Sequence, residues 1–296
     1  MRALRTKRRW RAVAIGALIG LMVGYASLWA VRAMRAPAPA APHPYFSPPT
    51  TPFIIAHRGA SHAETEHTRA AYDAALAAGA NVLELDIRRS ADGVPVVAHD
   101  ANLDRVLDVD LDVAANTLDA LRAAISSRHP TRRAEDLLLT LDQVLVAYPA
   151  ARLNIELKQP SEALARNVAE LIEQRDATER TLVVSFHHAA LEVFRRASSG
   201  RVATGASAAE VARFLACYLL NVPSRPAYQA LQIPPTVAGG WMSLANRDFL
   251  AFAHRHGLAV HYWTVDAPAA IERLLSVGAD GIMTNRPARV AAALSR

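Results

Sequence analysis

Short segments rich in β-branched and other apolar residues recur eight times between residues 53 and 284, and helix-like stretches separate most of them. The segments lie at 53–57, 81–87, 152–158, 181–186, 202–207, 230–233, 259–265 and 281–284, with amphipathic stretches such as 68–78, 162–174 and 267–277 between them. A strand followed by a helix and a further strand of the same sheet makes a parallel crossover. Eight such units in succession fit a TIM (β/α)8 barrel, an α/β fold of roughly 250 residues. The 296 residues hold one such barrel and an N-terminal appendage, and no repeat of fixed period is seen. Hydrophobic residues make up 52% of the chain, enough to fill a core of that size.

One segment breaks the rhythm. Residues 94–99 read as a strand, yet only a stretch ending in Ala91-Asp92-Gly93 separates them from the second strand. An Asp-Gly turn that short makes an antiparallel hairpin. The hairpin is expected to extend beyond the barrel rim, with residues 108–139 as a small insertion after it. The acidic run Asp108, Asp110 and Asp112 lacks the glycine and final glutamate of a calcium loop and reads as a solvated loop.

The appendage has its own logic. Residues 1–11 are basic, and residues 12–31 carry no charge. Twenty residues of helix span about 30 Å, the thickness of a bilayer core. Cations on the N-terminal side predict a cytoplasmic N-terminus and an extracytoplasmic remainder. The rival expectation is a cleaved signal peptide and a secreted chain. Residues 32–52 are proline-rich and are expected to form an extended, semi-stiff linker to a catalytic domain at 53–296. Residues 1–35 hold eight of the 33 Lys and Arg and no acid, so 25 basic residues face 27 acids elsewhere. The net charge of +6 therefore belongs to the N-terminus, and nucleic acid is not an expected partner. The lone Cys217 excludes an intrachain disulfide and reads as a buried thiol within a barrel helix.

The chemistry concentrates on strand ends. Side chains alternate along a strand, so Glu84, Asp86 and Arg88 share one face of the second strand. Asn154, Glu156 and Lys158 share one face of the next barrel strand. Carboxylates pointing into a barrel are costly unless a cation or hydrogen bonds neutralise them. Glu84, Asp86 and Glu156 suit a hard cation, Mg²⁺ or Ca²⁺, better than zinc; structural ion pairs are the alternative. If the hairpin turn centres on Asp92-Gly93, His99 returns opposite Asp86. The first strand ends at His57-Arg58, which adds a second histidine and a cation to the same rim. Metal, Arg and Lys neutralise a phosphodiester, and imidazole transfers protons near neutral pH. His187-His188 read as rim residues.

Further motifs follow in order: His57-Arg58-Gly59, Glu66-His67-Thr68, Glu84-Leu85-Asp86, Asp92-Gly93 with Val96-Val97-Ala98-His99-Asp100, Glu156-Leu157-Lys158, Ser185-Phe186, Trp263-Thr264-Val265 and Gly278-Ala279-Asp280-Gly281-Ile282-Met283-Thr284. Across residues 53–290 the chain resembles the glycerophosphodiester phosphodiesterase family. The resemblance implies metal-dependent hydrolysis of a glycerophosphodiester to glycerol 3-phosphate and an alcohol. The glycerol hydroxyl beside the phosphate would attack phosphorus, and water would open the cyclic product. It implies Glu84, Asp86 and Glu156 as metal ligands and His57 and His99 as the general acid/base pair. It implies Arg58 and Lys158 as phosphate contacts, Trp263 as a wall of the glycerol pocket, and Glu66 in support. Four positions depart from the family pattern: Thr65 for Pro, His67 for Asn, Asp266 for Asn and Asn285 for Asp. They bear on pocket polarity and so on substrate. Lysophospholipase D activity is the alternative, with a non-catalytic anchored binding protein behind it.

Overall fold

The computed structural model describes residues 19–27, 29, 42–47 and 52–296. Its strands are β1 (Phe53–Ala56), β2 (Val82–Arg89), β3 (Pro95–Val97), β4 (Arg152–Leu157), β5 (Thr181–Val184), β6 (Ala203–Thr204), β7 (Ala230–Ile233), β8 (Thr236–Val237), β9 (Met242–Ser243), β10 (Ala259–Tyr262) and β11 (Gly281–Thr284). Eight of them run parallel in the order β6-β5-β4-β2-β1-β11-β10-β7. The ring closes between β6 and β7 through a single bridge, Gly205 to Ala230, and two flanking backbone hydrogen bonds. That is the expected barrel. The longest register joins β2 to β4, from Val82↔Arg152 to Ile87↔Leu157, and sets Asp86 beside Glu156.

The sequence fixes helix starts locally. Thr68, Ser161 and Ser207 accept hydrogen bonds from backbone amides of the first turn of the helices Arg69–Ala77, Glu162–Gln174 and Ala208–Leu219. A side-chain cap of this kind satisfies a donor with no partner inside the helix. Cys217 is buried on the last of these helices, as expected.

β3 pairs antiparallel with β2, so the hairpin is present. Its register differs from the expectation by one residue. Ile87 faces Val97, and the amide of Ala98 donates to the carbonyl of Asp86, so Ala98 and not His99 lies opposite Asp86. The reason is the turn. Ser90 and Val94 close it, with Ser90 Oγ bonded to Asp92 and to both backbone groups of Val94, and the pairing is therefore centred on Asp92 alone.

The insertion is more than a loop. The helices Asp104–Leu107, Leu118–Arg128 and Ala134–Leu137 close over a small core of their own, which includes Leu107, Val113, Leu121 and Ile125. Asp108, Asp110 and Asp112 remain exposed around it. A second hairpin, β8 with β9, follows β7 and was not expected from the sequence.

The described part of the linker, residues 42–47 and 52, departs from the expectation. Pro44–Phe46 form a 3-10 turn instead of an extended spacer, and Tyr45 is fully buried. Its ring meets Phe53 edge-on, and Arg152 donates to the carbonyls of Tyr45 and Ser47. Phe53 and Arg152 begin β1 and β4, so the turn stoppers the N-terminal end of the barrel. Burial of an aromatic ring there outweighs the stiffness that proline gives an exposed chain. Half of the expected anchor at 12–31 lies outside the described residues. Residues 19–27 are helical, and no described helix is long and apolar enough to cross a membrane.

Candidate active site

Every acidic side chain singled out on β2 and β4 points into the ring. Glu84 and Asp86 are 2% and 1% exposed, so neither is a wet-face residue. Carboxylate oxygens of Glu84, Asp86 and Glu156 all lie within 4.8 Å of one another. Burial pushes the Glu84 carboxyl well up, and the charges of Asp86 and Glu156 push it further. Glu156 is raised too, by burial first and then by Asp86. Asp86 goes the other way. Burial opposes its charge, but the hydrogen bond from His67 and the cations of Lys158 and Arg58 outweigh that and hold it below the usual carboxylate range.

The cations sit where the sequence put them. Lys158 Nζ is 3.0 Å from Glu156 Oε1 and 3.6 Å from Asp86 Oδ1. Arg58 lies 3.4 Å from Asp86 through Nε and donates through Nη1 to Glu66, while its backbone amide donates to Glu84 at 2.8 Å. Arg58 has φ 57°, and Gly59 follows at φ 84°, where an added Cβ would stand 2.7 Å from the Ala71 carbonyl carbon. Glycine is needed at that turn both for its conformation and for the close approach of the following helix. Glu66 stands behind the cluster and accepts from Arg58 and Arg105, which supports an organising role rather than a place among the three carboxylates.

The two histidines have different backing. Asp266 accepts from Thr284 Oγ1 and from the backbone and side-chain amides of Asn285. Because a carboxylate only accepts, the amide NH₂ of Asn285 must face it, and Asn285 Oδ1 faces His57 Nδ1 at 2.8 Å. His57 therefore carries its proton on Nδ1 and leaves Nε2 bare. Burial pushes its pKa down to about 4, against the raising effect of the Asn285 bond. His99 Nδ1 lies 2.6 Å from Asp100 Oδ1, and Arg105 donates to the other oxygen of Asp100. The Arg105 hydrogen bond holds Asp100 at about 2, so the partner of His99 is a full carboxylate.

One cavity of about 460 Å³ gathers these groups. His57, Arg58, Glu84, Asp86, His99, Glu156, Lys158 and Trp263 all line it, so eight of the nine residues singled out from sequence meet there and Glu66 lies just behind. Its opposite wall is apolar, with Val211, Ile233, Pro234 and Trp263; Phe186 packs edge-to-face on Trp263. His187 and His188 are not among the lining residues, and His188 bonds Ser207 on a helix start.

Sequence reasoning singled out His67, Asp266 and Asn285 only for pocket polarity and missed that they hold the site in place. His67 is 3% exposed and bridges Tyr72 Oη at 2.9 Å and Asp86 Oδ2 at 2.8 Å. Its φ of 61° is a conformation that Asn and His tolerate better than most residues. Asn285 and Asp266 fix His57, and Asp100 fixes His99. Only Asp100 carried a local signal, as the neighbour of His99.

Residues 57–289 match the model of the Glycerophosphoryl diester phosphodiesterase family. The chain is 32% identical over 266 residues to probable glycerophosphodiester phosphodiesterase 1 of Mycobacterium tuberculosis, a match covering 81% of this chain and 92% of that one. It is 27% identical over 278 residues to a lysophospholipase D of Mus musculus, covering 83% and 84% of the two chains. Among solved structures it is similar to an Oleispira antarctica phosphodiesterase in complex with the product sn-glycerol-3-phosphate, with TM-score 0.63 and 23% identity over 83% of this chain and 97% of that one. At that identity the likeness is one of fold.

Proposed function

The chain belongs to the glycerophosphoryl diester phosphodiesterase family, and from that premise we propose that its cavity hydrolyses glycerophosphodiesters to glycerol 3-phosphate and an alcohol, with a divalent cation and two histidines. The observation that carries the reading is the convergence of three carboxylates, two cations and two histidines, each held through Nδ1, on one cavity.

The residues fit a hard cation. Three carboxylates within 4.8 Å of one another, two of them pushed toward the protonated form, leave more negative charge than Lys158 and Arg58 answer. All the donors are oxygens, which suits Mg²⁺ or Ca²⁺. Glu84, Asp86 and Glu156 would hold the ion. When bound, it would neutralise charge on the phosphoryl oxygens. Arg58 and Lys158 add positive charge for the same phosphate, and Trp263 with Phe186 walls the glycerol arm.

His57 and His99 move the protons. One takes the proton of the glycerol hydroxyl as its oxygen bonds to phosphorus, and the other gives a proton to the departing alkoxide. In the second half, water opens the cyclic diester and the two exchange roles, so both are needed. Their Nδ1 partners fix each ring so that Nε2 serves the substrate.

The test is hydrolysis of glycerophosphodiesters by the purified chain with and without chelator. Chelation is expected to abolish turnover, and Mg²⁺ or Ca²⁺ to restore it. Glu156→Gln should weaken the metal by more than the roughly 10- to 100-fold that losing a group behind a metal ligand costs, read as a shift in the metal concentration for half-maximal activity. Full turnover in chelator defeats the metal assignment.

The mouse relative motivates a lysophospholipase D reading, and Phe186, 57% exposed at the rim, favours it. The Tyr45 turn argues the other way, since it enters the barrel at the end opposite the cavity. An anchor at 12–31 would then leave the cavity facing away from its own membrane. We therefore retain an extracytoplasmic, membrane-tethered enzyme that prefers water-soluble diesters. A tenfold or greater kcat/KM preference for the matching lysolipid, or a soluble mature chain beginning near residue 41, would reverse those two choices respectively.

A further inference from the structure

The described residues hold a second cavity of about 520 Å³ that shares His57 and Arg58 with the first. It spreads over the C-terminal ends of β10, β11 and β1, and its character is opposite. Where the first cavity ends in an apolar wall, this one is lined by Ser61, His62, Glu66, Asp266, Asn285, Arg286 and Arg289.

Its acids are already answered. Asp266 accepts three hydrogen bonds from Thr284 and Asn285, and Glu66 accepts from Arg58 and Arg105. Arg289 is partly engaged, donating to the carbonyl of Asp266. Arg286 is different. Among the described residues its guanidinium has no hydrogen bond or ion pair, although its charge is felt by Asp266. The second cavity therefore offers a guanidinium that no hydrogen bond or ion pair from the described residues takes up.

A phosphodiester has two alcohol arms. In displacement at phosphorus the attacking and departing oxygens lie roughly in line, on opposite sides of the phosphate. If the phosphate lies on the carboxylate and cation cluster and the glycerol arm lies against Trp263, the departing alcohol points across His57 and Arg58. That is where the two cavities meet. We propose that the second cavity is the subsite of the departing alcohol and that Arg286, flanked by Arg289, selects alcohols carrying an anionic group, a phosphate or a carboxylate, over cationic ones. A guanidinium fork matches those oxyanions in a way it cannot match a quaternary ammonium. The inference rests on the glycerophosphodiesterase reading above and adds the class of its second product.

The experiment uses the full chain and diesters that share one glycerol 3-phosphate half. Their departing alcohols are choline, ethanolamine, glycerol and glycerol phosphate. The wild type should favour the anionic alcohol over choline in kcat/KM, and the preference should shrink as ionic strength rises. Arg286→Ala should lower that ratio by about five- to tenfold, Arg286→Lys should keep part of it, and Arg286→Glu should invert it. An anionic-to-choline ratio unchanged by Arg286→Glu in an active enzyme overturns the proposal, as does a wild type that prefers choline. If the wild type with Mg²⁺ or Ca²⁺ cleaves none of the series, the glycerophosphodiesterase reading falls first. If it cleaves all of them equally, only the subsite assignment falls.

Discussion

His57 and His99 line the same cavity, but the molecule supports them by different means. His57 stands at the end of β1 and is backed by Asn285, 228 residues away in sequence, at the end of the neighbouring strand β11. Its partner is a neutral amide, held in turn by Asp266. His99 stands on the hairpin limb and is backed by Asp100, its own neighbour, a carboxylate gripped by Arg105. The ring of the barrel thus builds a support by bringing distant strand ends together, and the limb builds one from adjacent residues. A neutral backing leaves burial free to keep His57 uncharged. A charged backing offers an imidazolium at His99 a counter-ion.

Removing the rings themselves should have the largest effect. His57→Ala and His99→Ala are each expected to lower kcat by about 10²–10⁴, and the double variant should fall short of the product because the pair acts as one unit. A fully active single variant at either position would break the comparison at its root.

The next effect is on stability in acid. A histidine with a folded pKa near 4 and an ordinary value of 6.5 binds fewer protons folded than unfolded between those pH values. Stability rises with pH where the unfolded chain binds more protons, so it is present above pH 6.5 and lost as pH falls toward 4. The contribution of His57 over that window is on the order of 3 kcal/mol. Tm followed from pH 7 to pH 4 in the metal-free chain should fall less steeply in His57→Gln than in the wild type. Equal slopes would mean that burial does not set the state of His57.

The backing groups come third. Asp100→Asn should cost about 10- to 100-fold in kcat, the usual loss when the group orienting a functional side chain goes. Asn285→Asp would give His57 the charged support that His99 has, but it sets two carboxylates side by side, since Asn285 Nδ2 now sits 2.7 Å from Asp266. Adding Asp266→Asn should restore most of the loss, because one acid and one amide are then present again in exchanged places. No recovery in the double variant would show that the order of the pair, and not its composition, matters. The smallest effect belongs to His188→Ala, which should change kcat by about twofold or less, as for a surface substitution away from the cavity. A large loss there would mean that the cavity is drawn too small.

Much of the site was legible because its signals are local. Alternation along β2 and β4 is enough to turn Glu84, Asp86 and Glu156 to one face. His57-Arg58 closes a strand, and Asp92-Gly93 announces a hairpin. The hairpin register was misjudged by one residue because Ser90, and not the Asp-Gly pair alone, closes the turn. The Pro-rich segment misled for a related reason. Proline stiffens a chain in water, but a tyrosine within reach of an open barrel end finds a better place inside.

By itself, then, the sequence determined the barrel, the inward face of each strand and the residue types at the strand ends, since these follow from a period of two and from composition. Only the tertiary structure decided which groups support which. Ring closure sets β11 beside β1, so Asn285 comes to hold His57. The left-handed turn at His67 carries its ring onto Asp86 beneath Tyr72. Among the described residues the Arg286 guanidinium is left without an ion pair in a second cavity, because Asp266 and Glu66 are already satisfied by nearer donors. Such pairings depend on distances between strand ends far apart along the chain, and a periodicity read along the chain carries no measure of that distance.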